Sequence, residues 1–124
     1  MARWLITVLL LGVAIIHLLP AVGVLSVERL RTLYGIGVDD PNLEILLRHR
    51  AVLFGLLGVA IAGAAFVRPW QGYAIAAALI SVVSFLIVAF AVGDYNDAIG
   101  RVVTADVVAL GALLVAGLVR AFTP

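Results

Sequence analysis

An all-α integral membrane protein, built as a four-transmembrane-helix bundle with a short amphipathic helix after the first span, is the fold class this sequence predicts. Three observations carry it. Hydrophobic residues make up 65% of the chain and its mean hydropathy is +1.27, which leaves too little polar surface to coat a soluble globule. Four apolar stretches approach the roughly 20 residues that a helix needs to cross the hydrocarbon core. Between the first and second lies one long connection, and it holds most of the polar chemistry. The 124 residues make a single membrane domain, too short for two cores of ordinary size.

The first span covers about Trp4–Leu25. Arg3 ahead of it and the small-x-small ending Ala21-Val22-Gly23 resemble a cleaved signal peptide, but the apolar run continues to Leu25 and one arginine is a thin charged start. A retained helix is therefore expected. Pro20 frees the carbonyl of Ile16 one turn back, which predicts a bend at His17.

The connection Ser26–Glu44 should be structured. "SVERLRTLYG" reads as a short amphipathic helix with Leu30, Leu33 and Tyr34 on one side, stopped by Gly35 and Gly37. "DDPN" then offers Asp40 as N-cap and Pro41 at the first helical position. The helix of the second span should thus begin near residue 41, although its apolar part covers about Leu46–Val67. The third span covers about Gly72–Val92, after the tight turn "VRPWQG" with Arg68 and Trp70 as interfacial anchors. The fourth covers about Ala98–Arg120, capped by Asn96 or Asp97. Small residues at helix-packing spacing (Ala60/Ala64, Ala74/Ala78, Ala105/Ala109, Ala112/Ala116) let the helices approach closely.

Charge excludes some functions and orients the chain. The eight basic residues are all arginine and seven acids nearly cancel them, so no basic stripe exists to meet nucleic acid. The absence of cysteine excludes a disulfide scaffold, a thiol redox centre and a Cys-ligated metal. Four spans put both termini on one side of the bilayer, and all seven acids belong to the other. Arg3, Arg68 and Arg120 lie on the terminus side, against Arg29, Arg31, Arg48, Arg50 and Arg101 opposite. If three of those five sit inside the bundle, the count favours termini in the cytoplasm and a multi-pass protein of the cell inner membrane.

Depth sorts the polar residues into layers. Measured from the terminus-side end of each span, His17, Ser84 and Asp106 lie at roughly 20 Å, and Arg48, His49, Arg50 and Arg101 at roughly 27–30 Å. Together they describe a polar funnel narrowing from the loop side. Glu44 can reach Arg48 and Asp97 can reach Arg101 at i+4 in their own helices. His17 and Asp106 have no such neighbour, so each needs a partner on another helix, and they could satisfy one another.

Two readings of that pair stand side by side: acid/base or ligand-holding chemistry, with the carboxylate orienting the imidazole, or structural cross-bracing. Ser84 is a weaker candidate, since serines in membrane helices usually bond their own backbone. Arg48, His49 and Arg50 span about 200° of helix. They cannot all face lipid headgroups, so His49 and Arg50 are expected to turn inward and, with Arg101, to grip a ligand's head. The two histidines differ in depth by roughly 7–9 Å, which disfavours an axial haem pair. Neither a metal nor another cofactor is expected.

At "HLLP" (17–20), "ERL" (28–30), "DDPNL" (39–43), "LLRHRAVLFG" (46–55), "SF" (84–85), "GDYN" (93–96) and "RVVTAD" (101–106), the chain resembles a family of small bacterial four-span membrane proteins. Its members often carry the label phosphopantetheine adenylyltransferase. That soluble enzyme has a nucleotide-binding α/β fold and a His-x-x-His type motif, and neither occurs here. In overall build the family is similar to DoxX-like four-helix proteins, a likeness of fold alone. The leading expectation is a membrane-embedded enzyme or binding protein for a lipophilic small molecule with a polar head. The alternatives are an oligomeric transporter or channel, and an accessory subunit of a larger membrane complex.

Overall fold

The computed structural model describes residues 1–123, and every regular element among them is helical. Helix α1 (Ala2–Leu18) continues as a 3-10 segment, Leu19–Val24. A short helix α2 (Val27–Tyr34) follows, then α3 (Pro41–Ala64), α4 (Arg68–Val92) and α5 (Asp97–Ala121). Four segments, Ala2–Val24, α3, α4 and α5, are long and apolar enough to cross a membrane. The chain is a multi-pass membrane protein with the expected bundle of spans.

Local chemistry sets the boundaries. Pro20 has no N–H to continue the α-helical ladder, and the first span changes there into 3-10 geometry rather than running as one α-helix to Leu25. The side chain of Ser26 accepts the N–H of Arg29 to start α2, and Gly35 ends it at φ +63°, a conformation that costs glycine nothing. Asp40 caps α3 by accepting the N–H of Asn42, with Pro41 in the first turn as expected. At α5 the cap is Asn96, whose Oδ1 accepts the N–H of Ile99 at 2.8 Å.

The long helices close into a ring. Helix α1 packs on α3 and α5, and α4 packs on the same two, so α1 and α4 stand on opposite corners. Ile6, Leu10, Ile61, Val82 and Leu113 fill the centre and are fully buried. Val8, Ile15, Val59, Ile80, Ile87 and Val108 point outward, where lipid tails replace water as their solvent. Glycine brings α1 and α3 closest together: a Cβ at Gly58 would stand 2.7 Å from the Leu18 side chain and 3.3 Å from the Ala14 carbonyl.

The terminus-side end is sealed by a polar knot absent from the sequence reading. The break between α3 and α4 frees the carbonyl of Ala65, and in lipid such a group needs an internal donor. Gln71 Nε2 donates to it at 3.0 Å, and the Thr7 hydroxyl lies 2.9 Å from it and 3.0 Å from the Arg3 carbonyl. Thr7 and Gln71 are both buried. Nearby, Arg68 donates to the Thr123 carbonyl and Arg120 to the Arg68 carbonyl, which ties the last turn of α5 to the first of α4.

Candidate functional site

The loop-side end of the bundle is built differently. Helix α2 lies across it, with Leu30, Tyr34 and Val38 as a small core of their own. Gly23 allows this, because a Cβ there would fall 2.5 Å from Leu30 Cδ2. Asn96 Nδ2 donates to the carbonyls of Tyr34 (2.9 Å) and Gly35 (3.1 Å), stitching the end of α2 to the start of α5. Arg31 bridges Glu28 and Asp39 and so folds the following loop back on the helix. The expected Glu44–Arg48 pair forms at 2.9 Å. Arg48 also donates twice to the carbonyl of Val24, so it caps the 3-10 segment and is absorbed by structure.

Under α2 is a cavity of about 190 Å³ between the first span, α3 and α5. Ile16, Leu19, Pro20, Leu33, Phe54, Ala98, Val102 and Ala105 make it apolar, and His17, Arg50, Arg101 and Asp106 are its polar groups. Four of the six residues singled out from sequence therefore meet in one place. The two layers separated by depth become one site, because arginine side chains are long enough to close several ångströms. Leu19 and Arg101 are exposed while His17 is buried, so the cavity is deep at α1 and open along the seam between the first span and α5.

Ser84 and His49 lie elsewhere. Ser84 is exposed and donates to the Ser81 carbonyl in its own helix. Fully buried Val82 marks the inward direction of α4, and two residues further on is about 200° around the helix. His49 is exposed for the same reason, standing two residues before fully buried Ala51. Of the Arg-His-Arg triplet only Arg50 turns into the cavity. The i+4 pairing of Asp97 with Arg101 is absent from the ion pairs of the described residues, which leaves Arg101 on the cavity rim.

His17 takes partners other than Asp106. Its Nδ1 lies 3.0 Å from the Val13 carbonyl and its Nε2 3.1 Å from Ser81 Oγ. A carbonyl only accepts, so Nδ1 carries a proton and donates to it, while the serine hydroxyl can serve Nε2 as donor or acceptor. The bond joins α1 to α4 across the diagonal of the ring and braces the floor of the cavity. Serine and imidazole are spaced like a nucleophile and its base. No carboxylate orients the ring, however, and Ser81 is not part of the cavity wall. Asp106, half-buried, accepts no hydrogen bond and makes no ion pair within the described chain.

Arg50 is the most elaborately held polar residue. Its guanidinium carbon lies 4.4 Å from the Phe54 ring centroid, 5.4 Å from Tyr34 and 5.7 Å from Phe85, all within cation–π range. Its Nη1 also donates to the Tyr34 hydroxyl. Burial holds the Tyr34 phenol above its usual titration range, and the nearby Arg50 charge and hydrogen bond pull the other way without reversing the shift. Phe54 and Phe85 lie in the segments "LLRHRAVLFG" and "SF", but the sequence gives neither of them a role at the site. Arg50-x-x-x-Phe54 was the available signal, since residues four apart share a helix face.

No protein-family model, no curated protein and no solved structure matches this chain.

Proposed function

We propose that this protein binds a lipophilic small molecule with a polar head, taken from within the bilayer through the seam between the first span and α5. One observation carries the reading: two arginines and an aspartate face a largely apolar cavity and form no direct ion pair among the described residues. Polar groups kept purely for structure are normally satisfied by their own neighbours, as at Thr7 and Gln71. Groups left with unused bonding capacity at membrane depth favour a ligand. The cavity sits at the loop-side end, and the fully buried Ile6, Leu10, Ile61 and Leu113 interrupt any polar path to the other end. That interruption counts against a channel.

Photolabelling tests the reading. The purified chain is irradiated with a long-chain primary alcohol bearing a diazirine near its head, and the adducts are mapped. Saturable labelling should concentrate on residues 16–20 and 98–106, and Ala105→Trp, which fills the cavity, should abolish it. Labelling spread evenly over lipid-facing residues and unchanged by Ala105→Trp would overturn the proposal.

The same reading places the termini in the cytoplasm and the chain in a cell inner membrane. Arg48 is engaged with Val24 and Glu44, Arg50 with an aromatic cage, and Arg101 lines the cavity, which leaves Arg29 and Arg31 on the loop side against Arg3, Arg68 and Arg120. Since the chain has no cysteine, Asp94→Cys should react with a membrane-impermeant maleimide on intact cells and Thr123→Cys should not. The reverse pattern would invert the orientation.

A further inference from the structure

We infer that the head of the bound molecule is a single carboxylate, held by the guanidinium of Arg50. The inference rests on the pocket reading above and deepens it.

Three features of the cavity select the charge. The first is the imbalance of the cavity: Arg50 and Arg101 bring two positive charges, Asp106 brings at most one negative charge, and His17 can add only a further positive charge. A net positive charge therefore remains whatever the state of Asp106. In a low-dielectric pocket an uncompensated cation is costly, and one incoming anion removes that cost. The second is the presence of Asp106 itself. When it is ionised the cavity carries one net positive charge, which a monoanion such as a carboxylate balances and a dianion overbalances. The third is size: about 190 Å³ is space for roughly six water-sized groups. It admits a carboxylate with its first methylenes and leaves the tail in the seam beside Leu19 and Val102.

The geometry around Arg50 explains how the grip would work. Guanidinium offers five N–H donors, and only one is taken, by Tyr34. Phe54, Tyr34 and Phe85 surround the group and fix its plane without supplying an anion. A planar fork already held in place loses little freedom on binding and matches a carboxylate with two parallel hydrogen bonds. Arg101, exposed on the rim, supplies attraction at the entrance and little grip.

Competition against the diazirine alcohol probe tests this, using a long-chain carboxylic acid, the primary alcohol and the methyl ester of equal chain length. The acid should compete at least about ten-fold better than the alcohol or the ester. Arg50→Gln should erase that preference by weakening competition by the acid at least about ten-fold more than competition by the alcohol, and Arg50→Lys should restore only part of it. Asp106→Asn should strengthen the acid several-fold. Helical circular dichroism and melting of each variant separate loss of grip from loss of fold. Equal competition by acid, alcohol and ester, with labelling still abolished by Ala105→Trp, would overturn the carboxylate and leave the pocket standing. Weaker competition by the acid in Asp106→Asn would overturn the opposing role given to that residue. Labelling insensitive to Ala105→Trp would overturn both readings.

Discussion

The two ends of this bundle handle the same problem, polar groups inside a membrane helix, in opposite ways. At the terminus-side end the Ala65 carbonyl, freed by a chain break, is met by donors from Thr7 and Gln71. At the loop-side end Asp106 and Arg101 have no ionic partner, and Arg50 is held by aromatic faces and a phenol instead of an acid. A satisfied knot favours one arrangement of helices. An unsatisfied set stores binding capacity, and the surrounding structure must carry its cost. On the proposed reading, stability and function are divided along the membrane normal.

The sharpest way to break the comparison is to remove the knot. Thr7→Val with Gln71→Leu leaves the Ala65 carbonyl unpaired in an apolar interior, at a cost of about 3 kcal/mol in stability. Thermal or denaturant unfolding in detergent should register it. The fraction that remains folded should keep the labelling pattern of the parent chain, because the knot lies far from the cavity. By contrast Asp106→Asn, which breaks no hydrogen bond, should shift stability by less than about 0.5 kcal/mol. If the two substitutions destabilise alike, the division between ends is wrong.

A second test concerns the contact that sets the spacing of α1 and α3. Gly58→Val places atoms where Leu18 and the Ala14 carbonyl already stand, and overpacking of this kind costs about 2 kcal/mol. Leu18 borders the turn that presents His17 and Ile16 to the cavity, so this variant, unlike loss of the knot, should weaken binding as well. A third is more local. Asn96→Ala removes the cap of α5 and both bonds to the end of α2, a loss of about 1 kcal/mol. Hydrogen exchange should rise over residues 27–38 and stay unchanged in the α3–α4 turn.

Sequence made the helices legible and their facing only partly so. Run length placed the four spans, and Ser26, Gly35, Asp40-Pro41 and Asn96 placed helix ends within a residue or two, because caps are local chemistry. Depth set His17 and Asp106 one layer below Arg50 and Arg101, and the reach of the arginine side chains brings the four to one cavity. Depth is blind to azimuth, however, and it promoted Ser84 and His49, which point away. The small-residue phase could have corrected this: Ala74, Ala78 and Ser81 follow one stripe of α4, and Ser81 is the serine that His17 meets. Thr7 and Gln71 were not legible at all, because their partner is a backbone carbonyl exposed only by the tertiary turn.

The smallest expected effect lies at Tyr34, which joins the small core of Leu30 and Val38 to the aromatic cage of Arg50. Its phenol is buried and titrates above its ordinary value of about 10. A group whose folded pKa is raised contributes stability that is fully present below the unfolded pKa and is lost as pH rises through the folded one. The bundle should therefore be insensitive to Tyr34 ionisation at neutral pH and should lose stability progressively above pH about 10. Tyr34→Phe removes this particular loss, so the difference in melting temperature between parent and variant should narrow or change sign on going from pH 8 to pH 11. Arginine stays charged throughout that window, and Tyr73 and Tyr95 are exposed, so the difference isolates the one phenol. Because Tyr34 also orients Arg50, the same variant should weaken a carboxylate probe at pH 8 while leaving an alcohol probe unaffected. A parallel pH profile for the two chains, with equal binding of both probes, would detach Tyr34 from the site and leave Arg50 held by Phe54 and Phe85 alone.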